Sequence, residues 1–169
     1  MITLAPAAAA QAGEWSAVIN GRSMHLGASE SWNENNLGLG VEYQFATETR
    51  WKTLLMVNGL RDSADKMSYM AGAGLHRNLF QTDGLADFYV DVGVNAFLMT
   101  RHDVNDNRPF PGALPSLTVG NRYGGFNLTY LPRKAVEKLY SARMADEGVS
   151  GIIYLQFKLS ATALGFGGD

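Results

Sequence analysis

The chain has 169 residues, 14 basic and 16 acidic side chains, a formal net charge of −2 and no cysteine, a size that suits one domain with an adequate core. The missing cysteines exclude disulfides, thiol catalysis and cysteine-ligated zinc, and the scattered basic residues give no electrostatic footprint for nucleic acid. No apolar run reaches the roughly 20 residues of a membrane-spanning helix; spanning strands stay open, because their signal per segment is much weaker.

Residues 1–12 (MITLAPAAAAQA) are uncharged and low in complexity, and Ala10-Gln11-Ala12 before Gly13 has the small-residue pattern of a secretory cleavage site. They are expected to be a signal-peptide remnant or a disordered leader. Trp15 to Met24 forms a weak first strand interrupted at Asn20-Gly21, and Leu26 to Asn36 is polar and turn-rich. From Leu37 to Phe45 the alternation is clean, with Leu37, Leu39, Val41, Tyr43 and Phe45 on one face and Gly38, Gly40, Glu42 and Gln44 on the other. Side chains on a strand alternate with period two, so this is a strand with one apolar face.

A short turn (46–50) leads into a hairpin whose arms are Trp51–Leu60 and Ser68–Leu79. In it Trp51, Thr53, Leu55 and Val57 oppose Lys52, Leu54, Met56 and Asn58, and Tyr69, Ala71, Ala73 and Leu75 oppose Met70, Gly72, Gly74 and His76. Residues 81–84 form a second short turn. A long strand follows, with Phe88, Val90, Val92, Val94, Ala96 and Leu98 on one face and Asp87, Asp91, Asn95, Phe97 and Met99 on the other. Aspartate and asparagine inside so long a strand require a face that meets water or a hydrogen-bonding interior. After a polar loop (101–112) come a short strand 113–119 holding Pro115, which removes a ladder hydrogen bond, a strand near 126–130, a charged loop (131–150), a strand 151–159 and a tail, 161–169.

Eight strands result, with long connections expected after the first, third, fifth and seventh and short ones after the second, fourth and sixth. That rhythm predicts an all-β, eight-stranded antiparallel up-and-down transmembrane β-barrel over residues 13–160, long loops outside. A soluble lipid-binding barrel, the first alternative, would carry its polar face outward; here the regular apolar stripe recurs on nearly every strand. The second alternative is a small outer-membrane barrel without catalysis, structural or adhesive. Trp15, Tyr43, Trp51 and Tyr130 near strand ends fit interfacial girdles.

The loop order brings His25, Asp62-Ser63 and Arg101 to one rim. Serine, histidine and aspartate there suit acyl transfer, which needs a nucleophilic oxygen, a base and donors for an oxyanion. His76 falls towards the opposite end and is set aside; His102, beside Arg101, is a decoy. There is no glycine-rich phosphate loop and no histidine cluster with metal spacing.

Three stretches resemble the PagP family of outer-membrane lipid A palmitoyltransferases: RDSADKMSYMAGAG (61–74), PFPGALPSLTVGNRYGGFNLTYLP (109–132), and His25 followed by NENNLGLG (33–40). The resemblance runs in order from about Trp15 to Leu159. It implies His25, Asp62 and Ser63 as a catalytic trio: His25 the general base, Ser63 nucleophile or hydrogen-bonding partner, Asp62 orienting or stabilising the histidine. It further implies Arg101 as a contact for anionic lipid, Pro115 and Pro132 as flanks of a lateral opening, and Gly74 as the floor of an acyl pocket. The activity implied is transfer of a palmitoyl chain from a phospholipid to a hydroxyl of lipid A, with phospholipase side activity and no cofactor or metal. The implied setting is a monomer in the bacterial outer membrane, its active site facing outside. Asn35-Asn36 stand where the family has a proline before the second strand, which puts a second lateral opening in question.

Overall fold

Alternation of apolar and polar side chains lays the chain out as eight strands: β1 (Glu14–Leu26), β2 (Asn35–Gln44), β3 (Trp51–Arg61), β4 (Met67–Gln81), β5 (Tyr89–Met99), β6 (Phe110–Asn121), β7 (Gly124–Pro132) and β8 (Gly151–Ser160). Each pairs antiparallel with the next, and β1 pairs with β8 from Ser16↔Ser160 to Leu26↔Gly151, which closes the barrel. This computed structural model describes residues 13–29, 31–84, 87–102, 104–135 and 148–166. The leader expected over 1–12 lies outside the described residues, as do 136–147 of the last connection and 167–169 of the tail.

The barrel is apolar outside and polar within. Leu39 is 71% exposed and Val94 53%, while Asn20, Glu42, Asn58, Asp91 and Lys158 are buried. This is the reverse of a soluble barrel, whose exterior must hydrogen-bond water. Leu55, Val57, Leu75, Leu98 and Leu128 continue the exposed apolar band around the wall. Near one rim Trp15, Tyr43 and Phe45 form an aromatic run, with ring centroids 4.8 Å and 5.0 Å apart. Tyr69 and Tyr130 are exposed near the other.

The lumen is layered. In its lower part charges are buried only in pairs, as desolvation demands: Lys158 with Glu42, and Lys52 Nζ with Asp91 Oδ2 at 2.8 Å. Asn78 donates to the other Asp91 oxygen at 2.7 Å, and Lys52 lies 4.4 Å from the centre of the Tyr89 ring. Above them Asn20 Oδ1 accepts from Tyr154 and from Gln156, both at 2.7 Å, and His76 Nε2 bonds Asn95 Oδ1 at 2.9 Å. Higher still the buried inward residues include the apolar Leu60, Phe97, Met99, Leu131 and Ile152.

Three expectations are corrected. The third connection is the tight turn 62–66, which Asp65 closes in the left-handed region at φ 59°. It is shorter than the 82–88 connection, so loop length does not alternate strictly. β5 begins at Tyr89; Phe88 lies before it and bonds Thr82 through its backbone. β6 is longer than expected, because Pro111 and Pro115 both lie within a ladder that stays paired to β5.

Removing one member of a buried ion pair leaves the other charge without compensation, at a cost of about 3–5 kcal/mol. Glu42→Ala is therefore expected to lower stability by that amount in guanidinium unfolding of the detergent-held barrel. The double variant Glu42→Leu, Lys158→Met is expected to stay much closer to the parent.

Candidate active site

His25 faces the lumen because β1 breaks its alternation after Asn20, with one extra residue relative to β8. Val18 and Asn20 point inward, and strict alternation would then send Arg22 and Met24 inward and His25 out. Instead the register shifts between Asn20 and Arg22 against β2, and between Asn20 and Ser23 against β8. Beyond this bulge Ser23 is buried, Met24 is 49% exposed, and the His25 side chain is only 1% exposed. A bulge inverts the facing of everything after it. A glycine suits the bulge position, since a Cβ on Gly21 would come within 2.8 Å of the Leu155 carbonyl oxygen. The Asn20-Gly21 interruption was legible in the sequence; its consequence for His25 was not.

His25 Nε2 lies 3.0 Å from Ser63 Oγ. The imidazole stacks on Trp32, with centroids 5.8 Å apart and planes inclined by 25°. Ser63 is held in place through three consecutive carbonyls of its segment. Asn36 Nδ2 donates to the Arg61 carbonyl at 2.9 Å, Asn33 Nδ2 to that of Asp62 at 3.0 Å, and the Asn33 backbone N–H to that of Ser63 at 3.2 Å. The asparagine-rich stretch between the first two strands thus ties the segment carrying Ser63 to the one carrying His25. Polar, turn-rich composition marked it only as a loop.

Asp62 does not reach His25. Its buried carboxylate accepts from the backbone N–H groups of Ala64 and Lys66 at 2.9 Å and 3.0 Å through Oδ1, and from the Ser68 hydroxyl at 2.8 Å through Oδ2. The expected role of orienting the imidazole is therefore corrected: Asp62 caps the turn that presents Ser63. The carboxylate beside the ring is Glu34, whose Oε1 lies 3.9 Å from Nδ1. Arg101 is buried at the same rim and, with Asp62 and Ser63, lines the mouth of a cavity. His102 is exposed, and His76 lies mid-lumen rather than at the far rim.

Below Ser63 and Arg101 that cavity runs down between Met56, Leu60, Met70, Phe97, Met99 and Leu131 to Asn95, Tyr154 and Gln156. It is a greasy shaft on a polar floor. Gly74 points inward but does not line it, because the Leu54 and Asn95 side chains occupy the space its Cβ would take. The polar end of the shaft is lined by Asn95, the cross-strand partner of Gly74. Pro115 and Pro132 lie where the ladder between β6 and β7 stops. β6 and β7 pair from Asn121↔Gly124 to Ser116↔Thr129 and no further among the described residues, although Phe110–Pro115 stays paired to β5 and Tyr130–Pro132 to β8. Between β1 and β2 the wall is closed at the corresponding height: Arg22 pairs with Asn35, and Ser23 N–H donates to the Glu34 carbonyl at 2.9 Å.

Comparison with known proteins fits this geometry. A family model described as "Antimicrobial peptide resistance and lipid A acylation protein PagP" matches residues 21–139, from the bulge through both prolines. The chain belongs to the PagP family. Similar proteins include the "Lipid A acyltransferase PagP" of Methylobacillus flagellatus, 29% identical over 104 residues, and that of Bordetella pertussis, 33% identical over 105. The matched segments cover 61% and 60% of this chain and 54% of each relative. The chain thus spans about half the length of these PagP relatives.

Asp62→Ala is expected to strip an acceptor from two backbone donors and a buried hydroxyl, lowering stability by about 3 kcal/mol. Asp62→Asn keeps a carbonyl for the two N–H groups and should lose far less. Guanidinium unfolding in detergent checks both; equal stability of the two with the parent would count against the capping role.

Proposed function

We propose that this PagP-family barrel sits in the bacterial outer membrane and moves a palmitoyl-length acyl chain from a phospholipid to a hydroxyl of lipid A. The observation that carries the reading is the 3.0 Å contact between His25 Nε2 and Ser63 Oγ at the mouth of an apolar shaft. The relatives' name, lipid A acyltransferase, and the apolar exterior support it.

In this reading the donor's acyl chain enters sideways through the gap between β6 and β7, flanked by Pro115 and Pro132, and lies in the shaft. Its ester carbonyl then rests beside Ser63. The Ser63 hydroxyl donates to Nε2, so His25 is the general base and needs its proton on Nδ1. With Ser63 as nucleophile, its oxygen bonds the carbonyl carbon as its proton passes to Nε2. The donor C–O bond then breaks, the lysophospholipid oxygen takes that proton, and the lipid A hydroxyl repeats the sequence on the acyl-serine. With Ser63 as hydrogen-bonding partner, His25 takes the proton of the acceptor hydroxyl as that oxygen bonds the ester carbonyl carbon; the donor C–O bond then breaks and the lysophospholipid oxygen takes the proton from His25. Water in place of the acceptor gives the phospholipase side activity. Buried Arg101 supplies positive charge at the rim for anionic lipid or the developing oxyanion. Asp62 contributes through the turn that places Ser63. The reaction needs no cofactor, the barrel acts as a monomer, and the rim carrying His25 and Ser63 faces outside.

His25→Ala and Ser63→Ala are each expected to cut transferase and phospholipase turnover in detergent at least about a thousandfold, with the heat-modifiable gel mobility of the barrel unchanged. Full activity in both variants sinks the site. An acyl adduct on the intact protein after donor alone, lost in Ser63→Ala, marks the serine as nucleophile.

The shaft's depth sets the acyl length in this reading, and Gly74 acts on it at one remove. Gly74→Met would have to push Leu54 and Asn95 towards the shaft, so donor preference is expected to move to shorter chains. Mass spectrometry of the acylated product reads this; an unchanged chain-length profile removes the idea.

A further inference from the structure

A histidine that accepts a proton at Nε2 must hold one at Nδ1, and a buried N–H must have an acceptor. His25 Nδ1 is buried and has no hydrogen-bond partner within ordinary range among the described residues. The nearest carboxylate oxygen is Glu34 Oε1, at 3.9 Å. Glu34 is itself held on two sides: Oε1 accepts the backbone N–H of His25 at 3.3 Å, and Oε2 accepts Arg22 Nη2 at 3.1 Å. An oxygen already fixed to the histidine's own backbone needs only a shift of less than about 1 Å to reach ordinary hydrogen-bond distance. Trp32 stacks on the imidazole beside this contact.

We propose that Glu34 is the carboxylate partner of His25: it fixes the Nδ1–H tautomer, closes onto that proton as Nε2 takes one from Ser63 or the acceptor hydroxyl, and stabilises the imidazolium so formed. Glu34 is a positioning residue and touches no substrate; Arg22 sets which way its carboxylate faces. The proposal rests on the acyl-transfer reading only for its kinetic arm. The charged groups around the ring are Glu34 and Arg22 from the first strand and the connection after it, Asp62 from the β3–β4 turn, and Arg101 from the β5–β6 connection. Asp62 is engaged by its own turn, and Arg101 opposes positive charge on the imidazole. That leaves Glu34 as the group positioned to favour it.

Two measurements on the full chain in detergent micelles decide this. The first is a 15N-histidine titration of the parent and of Glu34→Gln, compared at the His25 ring. Loss of the neighbouring negative charge is expected to move the His25 titration down by about one pH unit, and loss of the acceptor to weaken the Nδ1–H tautomer. Glu34→Asp should recover most of the titration shift. The second is the pH–rate profile. The plateau of Glu34→Gln is expected to fall at least about tenfold, and its acidic limb to move to lower pH, because the neutral base then persists further into acid. A side chain that only packed would leave the limb in place. A parental His25 titration and tautomer in Glu34→Gln overturn the proposal whatever the kinetics. Parental activity in His25→Ala and Ser63→Ala would sink the acyl-transfer reading instead, and the titration would still decide the role of Glu34. Should Glu34→Gln lose the heat-modifiable mobility of the folded barrel, the same titration and profile of Glu34→Met, which also removes the charge and the acceptor, decide in its place; with both parental, the proposal fails.

Discussion

The facing of one strand governs the chemistry at the rim. In a barrel each residue is committed to hydrocarbon or lumen by its parity, and parity is conserved until a bulge breaks it. β1 enters with Val18 and Asn20 turned inward and leaves with Ser23 and His25 turned inward. One added residue near Gly21 and Arg22 reconciles the two. Without it the imidazole would face the apolar exterior, Met24 would fill the lumen, and Ser63 would lose the imidazole that lies 3.0 Å from its hydroxyl. Arg22 also depends on it: at the bulge it turns outward, where its guanidinium reaches Glu34.

The lumen's layering is the second constraint, and it follows from desolvation. Glu42, Asp91, Lys52 and Lys158 can be buried only because each meets an opposite charge. Asn20, Asn58, Tyr154 and Gln156 complete a hydrogen-bonded floor above them. An alkyl chain entering from the rim would pass Leu60, Met99 and Leu131 and run beside Met56, Met70 and Phe97 to Asn95, Tyr154 and Gln156. Going deeper would mean breaking satisfied polar contacts for apolar ones, which is unfavourable at every bond. In the acyl-transfer reading, depth is thus set by where polar residues begin, and Gly74 stands at that boundary behind Asn95 and Leu54.

Much of this was legible in the sequence, because alternation is a local property. Strand count, closure and the facing of Leu37–Gln44, Trp51–Asn58, Ser68–Asn78, Val90–Met99 and Ile153–Leu159 follow directly from period two. Hairpin order also places His25, Ser63 and Arg101 at one rim. What stayed hidden depends on contacts between segments distant in the chain. Asp62 looked like a partner for histidine because the resemblance implies that role, yet two donors of its own turn and the Ser68 hydroxyl claim its oxygens. Glu34 looked like loop polarity because only the closed barrel brings it to the imidazole. The length of the β3–β4 connection was misjudged because a polar run gives no sign of how tightly its carboxylate will cap it.

The break in the β6–β7 ladder shows how a barrel tolerates an unpaired edge that its surroundings should forbid. In a hydrocarbon environment a free strand edge leaves backbone donors and acceptors without partners, at several kcal/mol each. β6 reduces that cost through composition. Pro109, Pro111 and Pro115 share one parity, and Pro111 and Pro115 lie within an unbroken ladder to β5, paired with Leu98 and Val94. In an antiparallel strand successive residues address alternate neighbours. A proline nitrogen turned towards β5 would break that ladder, so these nitrogens face β7. The free edge towards the rim therefore lacks donors at 111 and 115 and presents mainly carbonyls, which are better tolerated without partners than N–H groups. β7 ends on Pro132, again without a donor. Where the prolines stop, at Ser116 and Thr129, pairing begins and continues to the far rim. The same prolines that end the β6–β7 ladder therefore make its unpaired edge tolerable, so the break in pairing is written into the strand itself.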